Sequence, residues 1–442
     1  MLQSGIHFLV EQTKEELLSL YNSDARPWVI AFSGGKDSTV LLHLIYEMLL
    51  ENRETVSKPV IVLCSDTGVE PPNVLTYIKK TLRSIIQHSN KHALPLNVKL
   101  IRPLPEESFW GMLIGKGYPS PTRWFRWCTS RMKIRPARKI IEKIAKEYGS
   151  VILLLGTRHD ESTARKNRME GREYSQRGLN PHHEIPNALV AAPIANWTTD
   201  QVWDFLNEEN TSPWGSSHDE LRELYRKATG GECHFVLDML SPSCGGSRFG
   251  CWTCTVVKED VSMKGFITSG ENWMLPLNQF RNWLKAIRED MTMRLSYRRN
   301  GTEGPGPFSS DTRKQILTRL FEVEKKTGLT LISDKDIAYI QQIWTEEFDS
   351  RDTALAIAKA AGREVEMMNG FSLSPMRQKL LDDLLKEYEI SPDLVEKLLS
   401  LVTDKYPSLG VWGAKAGLSR DIQEAIGRAI VMKSTADNSN DI

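Results

Sequence analysis

The sequence predicts a doubly wound, mostly parallel α/β sheet with a cysteine-rich module and a helical C-terminal region, on three observations. Short apolar runs at 29–32, 60–64, 96–101 and 151–155 alternate with stretches of helical periodicity, the rhythm of a parallel sheet. Two of these runs end in polar turns, at Ser33 and at Asp66, and ligands in such sheets bind beyond the carboxyl ends of the strands. Four of the six cysteines fall between Cys233 and Cys254, and beyond the Gly/Pro-rich loop 298–307 the pattern is helical.

Taken in order, residues 1–22 form a leading helix whose apolar face includes Ile6, Leu9, Leu17 and Tyr21. An α/β domain follows over 23–215. Its first strand breaks at Ser33-Gly34-Gly35-Lys36-Asp37-Ser38 and gives way to a helix with apolar positions Val40, Leu41, Leu44, Ile45 and Met48. A second strand at 60–64, an amphipathic helix at 72–87 and a third strand at 96–101 continue the alternation. The Pro-rich, basic and aromatic segment 103–136 lacks clear periodicity and reads as a long functional loop with short helices. A helix at 135–147 leads to the apolar strand at 151–155, and Thr198 is placed to cap the helix that closes the domain. The cysteine-rich module occupies 216–310. Helices at 273–287 and 312–326, one opening at Ser333, and amphipathic stretches at 375–401 and 419–432 place a helical region over 311–433, with a disordered tail at 434–442.

The chain of 442 residues has 40% hydrophobic and 26% charged residues, ordinary values for a soluble protein with room for two or three domains. No apolar run approaches the roughly eighteen residues of a membrane helix, and 1–22 mixes Glu and Lys into its apolar positions, so the expectation is a cytoplasmic protein with no membrane partner. The net charge of +1 hides an uneven distribution. Residues 108–141 contain no Asp or Glu, while Lys116, Arg123, Arg126, Arg131 and Lys133 alternate with Trp110, Tyr118, Trp124, Phe125 and Trp127. Such interleaving suits phosphate neutralisation with base stacking; a solvated basic face with its aromatics turned inward is the plainer reading. Arg298 and Arg299 are a second basic patch.

The loop 33–38 has the attributes of an anion site. Two glycines let backbone N–H groups turn inward, Ser33 and Ser38 add hydroxyls, Lys36 adds charge, and the next helix presents its positive end. The spacing is neither the GxxxxGK[ST] phosphate loop nor the GxGxxG dinucleotide pattern. Cys233, Cys244, Cys251 and Cys254 are separated by ten, six and two residues. Four thiolates hold either zinc or an iron–sulfur cluster, and the wide first gaps favour the cluster. Cys128 sits in an electropositive segment, where a thiolate could carry sulfur as a persulfide or complete the metal site in place of Cys233. Cys64, ending a buried strand, reads as a core residue, and His159, His182, His183 and His234 have no ligand spacing.

SGGKDS resembles the pyrophosphate loop of ATP pyrophosphatases, whose fold is adenine nucleotide alpha-hydrolase-like. Gly156-Thr157-Arg158-His159-Asp160-Glu161-Ser162 is similar to the second signature of their phosphoadenylylsulfate reductase branch, and Ala192-Pro193-Ile194 with Trp197 to Trp203 to its closing strand, turn and helix. Together with CGGSRFGCWTC and the RNGTEGPGPF loop, these motifs resemble, over roughly 10–310, the DndC family, the ATP pyrophosphatase and iron–sulfur component of bacterial DNA phosphorothioation systems. The resemblance implies an enzyme that replaces a non-bridging oxygen of the DNA backbone with sulfur, activating that oxygen by adenylation with release of pyrophosphate. It implies ATP, Mg²⁺ and a 4Fe-4S cluster as cofactors, a cysteine desulfurase as sulfur donor, and other proteins of the modification complex as partners. Ser33 to Ser38 would hold the triphosphate with Asp37 as a Mg²⁺ partner, and Asp66, Thr67, Gly156, Arg158 and Glu161 would face the nucleotide. Lys36 and Arg158 would stabilise the phosphorus transition state, although a structural salt bridge suits Arg158 nearly as well. A phosphoadenylylsulfate or adenylylsulfate reductase shares the nucleotide domain but ends in catalytic or paired cysteines, whereas the last cysteine here is Cys254. A tRNA-thiolating enzyme and a nucleotide-sensing iron–sulfur scaffold are the remaining alternatives.

Overall fold

The computed structural model describes residues 3–161, 179–182, 184–229, 249–349 and 351–366, with isolated residues beyond. Two compact units divide the chain: 1–103, 127–252 and 259–275 in the first, 104–126, 253–258 and 276–442 in the second. The expectations for 375–401, 419–432 and the tail 434–442 lie almost wholly outside the described residues, as do Cys233 and Cys244.

The first unit is built on a six-stranded sheet. After helix α1 (Gln3–Asn22) come β1 (Trp28–Phe32), α2 (Lys36–Glu51), β2 (Val60–Ser65), α3 (Pro72–Lys91), β3 (Leu96–Ile101), α4 (Arg135–Tyr148) and β4 (Val151–Leu154). Two further strands, β5 (Asn180–Pro181) and β6 (Ala188–Ala191), precede α5 (Thr199–Glu208), α6 (Asp219–Ala228) and α7 (Val261–Thr268). The order is β3-β2-β1-β4-β6-β5; all pairings are parallel except the antiparallel edge pair β5–β6. β1 is central, with Trp28 in register with Val60 on one side and Ile152 on the other. Helices cover both faces, so Val29, Ile30, Val60, Val62, Val151 and Ile152 are all buried, as their unbroken apolar character requires.

The helix at α5 begins as the sequence predicts: Thr198 caps it, its hydroxyl accepting from the Gln201 N–H while the Gln201 side chain accepts from the Thr198 N–H. The strand before it is β6, and Ala192-Pro193 lie in the turn after it, since proline has no N–H to extend the ladder. Within 103–136 the chain forms a 3₁₀ turn (Pro105–Glu107) and two π-helical turns (Gly111–Gly115 and Thr129–Ile134), the second running straight into α4.

The second unit is helical: α8 (Leu275–Glu289), α9 (Ser310–Thr327), α10 (Asp334–Glu347) and α11 (Thr353–Ala360). Ser309 and Ser333 cap α9 and α10. Residues 104–126 belong here, held by buried hydrogen bonds: Trp344 Nε1 donates to the Ile114 carbonyl at 3.0 Å and Trp110 Nε1 to that of Leu331 at 2.7 Å. Among the described residues no helix is long and apolar enough to cross a membrane.

Two glycines in the turns after β1 and β2 differ in what they require. Gly34 has φ +73° and a Cβ there would lie 2.4 Å from Ile78 Cγ1, whereas Gly68, at φ +77°, faces open space. Gly34→Ala should therefore destabilise the chain by roughly 2–4 kcal/mol, left-handed strain plus a clash, and Gly68→Ala by only about 1–2 kcal/mol. Urea unfolding of the two variants side by side checks the order; equal losses would mean that Ile78 yields without cost.

Candidate active site

Strands β1, β2 and β4 end side by side, and the turns that leave them surround a cavity of about 490 Å³. Ser33, Gly35, Asp37 and Ser38 line one wall, Gly156 and Thr157 a second, Ser65 and Glu70 a third; Val74, Ile78 and Ile141 are among its apolar residues. A nucleotide fits such a space, with a polar end for phosphates and an apolar wall for a base.

The polar end is organised around an open helix terminus. Gly35 is the N-cap of α2 and has no side chain to cap it, which leaves the helix's positive end for an anion. Ser38 Oγ bridges the loop, lying 3.1 Å from Ser33 Oγ and donating to the Gly35 carbonyl at 3.0 Å. The Lys36 N–H donates to Tyr225 Oη at 3.2 Å, so α6 steadies the loop from outside it. Gly156 approaches so closely that a Cβ would lie 2.9 Å from the Asp37 carbonyl oxygen.

Lys36 is only 4% exposed and Arg158 1%. Asp37 stands between them: Lys36 Nζ is 3.0 Å from Oδ2 and Arg158 Nε 2.7 Å from Oδ1. Arg158 also donates to the Trp197 carbonyl at 3.0 Å and to Thr199 Oγ1 at 3.1 Å. Thr199 in turn donates through its N–H and hydroxyl to Asp160 Oδ2, and the backbone bond foremost holds that carboxyl below its usual range. Arg158 is thus a buried clamp between the end of β4 and the start of α2. Asp37, expected as a Mg²⁺ partner, has each oxygen against a cation, and a metal ion there would face both. Asp37 is thus the shared counter-ion of Lys36 and Arg158 in this structure. The Glu161 side chain lies outside the described residues.

Asp66 and Thr67 occupy the turn between the lining residues Ser65 and Glu70. Asp66 accepts from the Gly68 N–H at 3.0 Å and from Arg102 Nε at 2.9 Å. The Thr67 N–H and hydroxyl donate to Glu70 at 3.0 and 2.5 Å. Cys251 comes to this turn, its Sγ 3.9 Å from Thr67 Oγ1, and the Trp252 N–H donates to the Val69 carbonyl at 2.9 Å. One expected cysteine ligand is therefore beside the nucleotide-side turn. In the second unit buried Arg281 holds the Cys254 carbonyl at 2.7 Å. Cys251 and Cys254 are each partly exposed and form no disulfide. Cys128, also partly exposed and outside any disulfide, precedes the turn Thr129–Ile134. Cys64 is buried at the end of β2, its thiol pushed by burial up to about 12.

The two basic patches meet within the second unit. Arg299 donates to the Lys116 carbonyl and stands 5.9 Å from the Tyr118 ring, which stacks on Phe125 at 6.0 Å. Arg123, Arg126 and Arg298 are exposed, and Trp124, 92% exposed, has the Arg123 guanidinium 5.9 Å from its ring. Arg131 belongs to the first unit. Site residues that the sequence did not single out are Tyr225, Lys133 and Glu70. Glu70 and Lys133 sit in segments already marked as polar or basic, whereas nothing in the local sequence signals Tyr225.

A family model described as the phosphoadenosine phosphosulfate reductase domain matches residues 27–257, more than half of the chain. An uncharacterised protein of Methanocaldococcus jannaschii is 29% identical over 240 residues, 54% of this chain and 38% of that protein. Sulfate adenylyltransferase subunit 2 of Rhizobium sp. strain BR816 is 26% identical over 198 residues, 41% of this chain and 58% of that protein. The chain thus spans less than two thirds of the length of these relatives. Among solved structures, Candida glabrata FMN adenylyltransferase with FMN and the ATP analogue AMPCPP aligns at TM-score 0.31 and 16% identity, covering 51% of this chain and 63% of that one. The U34-tRNA thiolase NcsA of Methanococcus maripaludis with its 4Fe-4S cluster aligns at TM-score 0.28 and 14% identity, covering 49% and 71%.

Burial raises the Glu70 carboxyl above its usual range, against the Thr67 bonds and the Lys133 charge. Folding then favours its protonated form, so the stability it contributes is full at low pH and is lost as pH rises from the ordinary carboxylate value through the raised one. Glu70→Gln does not ionise. Its melting temperature relative to wild type should move in its favour between about pH 4 and pH 8, and a difference that stays constant with pH would show that Glu70 folds in its ionised form.

Proposed function

The chain belongs to the phosphoadenosine phosphosulfate reductase domain family, and on that premise we propose that it is an ATP pyrophosphatase that activates a phosphate oxygen for replacement by sulfur, with the DNA backbone as acceptor. The observation that carries this reading is the conjunction of an uncapped helix terminus, a nucleotide-sized cavity and the Cys251 thiol at one turn of its rim. The acceptor oxygen attacks the α-phosphorus of ATP, a P–O bond forms and the bond to pyrophosphate breaks. The pyrophosphate leaves against the α2 terminus and Ser33, Ser38 and Lys36, whose donors are fixed before the reaction begins. The terminal sulfur of a Cys128 persulfide, charged by a cysteine desulfurase, then attacks the acceptor phosphorus, and AMP departs with the oxygen. A thiol reductant cleaves the S–S bond and returns Cys128. Cys251 and Cys254, with Cys233 and Cys244, would hold a 4Fe-4S cluster. Other proteins of a modification complex would present the DNA.

Support for a nucleic acid acceptor comes from the second unit. An almost fully exposed tryptophan with arginines around it offers stacking and phosphate neutralisation, and it has no packing role that would account for it. Adenylation of sulfate is a second reading, favoured by the match to the sulfate adenylyltransferase subunit.

Pyrophosphate release from ATP by the anaerobically prepared full chain tests both. It should depend on DNA and not on sulfate, fall by roughly a hundredfold or more in Lys36→Ala, and lose its DNA dependence in Trp124→Ala/Arg123→Ala. Release stimulated by sulfate alone would transfer the assignment to the second reading, and release unaffected by Lys36→Ala would remove this loop from the chemistry. Iron, zinc and acid-labile sulfide analysis should give about four irons and four sulfides per chain, lost in Cys251→Ser; zinc without sulfide would replace the cluster by a structural knuckle.

A further inference from the structure

Helix α2 carries a second cluster, two turns beyond the phosphate loop, that the proposed chemistry does not use. His43 and Glu47 are one turn apart and leave the same face. Glu209 ends α5, which packs against α2. One ligand atom from each of the three lies within 4.8 Å of the other two. His43 is fully buried and its Nε2 makes no hydrogen bond, for Glu47 Oε1, although 3.3 Å away, lies outside bonding geometry. The other ring nitrogen, Nδ1, is 3.0 Å from His218 Nε2. His218 is itself buried. In the tautomer in which His218 accepts, the His43 proton is on Nδ1 and its Nε2, 3.3 Å from Glu47 Oε1, is left as the ligand atom on the carboxylate side. An imidazole fixed through its far nitrogen is the arrangement of a metal ligand with its supporting partner.

We propose that His43, Glu47 and Glu209 form a divalent transition-metal site, of the kind that takes Zn²⁺, tying the phosphate-loop helix to the end of α5. One imidazole and two carboxylates form a borderline donor set, which excludes the all-oxygen preference of Ca²⁺ and Mg²⁺ and contains no thiolate. Two carboxylates neutralise the ion, and water completes the coordination. Lys14 Nζ, 3.7 Å from Glu47 Oε2, does not oppose it, because Lys14 is paired with Glu51 and lies 3.6 Å from Glu11. The site contains no cysteine and does not depend on the sulfur chemistry.

Zinc binding to the full chain with Cys251→Ser and Cys254→Ser tests it, since any zinc at the remaining cysteines is common to every protein compared. Equilibrium dialysis should find one further zinc in this chain, absent after Glu47→Gln/Glu209→Gln and bound at least tenfold more weakly after Glu209→Gln alone. Zinc should raise the melting temperature of the parent and not of the double carboxamide variant. Glu209 is partly exposed at a helix end, so its single variant decides the matter should the double variant fail to fold. Equal zinc stoichiometry and affinity with and without the two carboxylates overturns the site.

Discussion

A fully buried guanidinium determines how the first turn of α2 is built. Arg158 is withdrawn from water at the end of β4, and an uncompensated charge there would be prohibitive, so each side of it is matched: Asp37, the Trp197 carbonyl and the Thr199 hydroxyl. Asp37 is shared with Lys36, which orders two cations beside an open helix terminus. The anion-binding character of the loop is therefore not only a matter of glycines and N–H groups. Removing Asp37 would leave two buried positive charges facing each other, and removing Arg158 would unfasten β4 and α5 from the phosphate loop. The close passage of Gly156 over the Asp37 backbone belongs to the same fastening.

A second constraint acts on the sulfur side of the cavity. The turn after β2 is stitched by Asp66 to Gly68 and by Glu70 to Thr67, so its shape is fixed by its own side chains. Trp252 then docks on that turn through the Val69 carbonyl, and Cys251 is brought within 3.9 Å of Thr67 as a consequence. The thiol's position is thus set by the backbone bond of the residue that follows it. A ligand or reactive thiol held in this way loses little freedom when it engages a partner.

Much of this was legible in the sequence, for reasons that differ by element. The inner parallel strands β1, β2 and β4 read as apolar runs because both their faces are buried, whereas β3, at the edge of the sheet, is marked on 96–101 by its buried ends Leu96 and Ile101 with Asn97 and Lys99 exposed between them. Thr198 announced its helix because a threonine three residues before a glutamine satisfies two N–H groups reciprocally. The edge strand β5 is two residues long and carries a proline, too short to leave a periodic trace. Tyr225 touches Lys36 across 189 residues of sequence, and His43 meets His218 across 175; only the tertiary fold creates either contact. The ion pair of Asp37 with Arg158 spans 121 residues of sequence and is likewise a product of the tertiary fold.

Helix α2 emerges as the element on which opposite charges are sorted by position along one axis. Its N-terminus is uncapped and offers its positive dipole end to an anion; its third and fourth turns present His43 and Glu47, which suit a cation. Between them Val40, Leu41 and Leu44 are wholly buried, so the helix cannot rotate to relieve a mismatch at either end. A group bound at one end therefore constrains the axial position of the other. A group that fixed the far half of α2 against α5 would limit how far the loop 33–38 can move, because α5 is already joined to that loop through Thr199, Arg158 and Asp37.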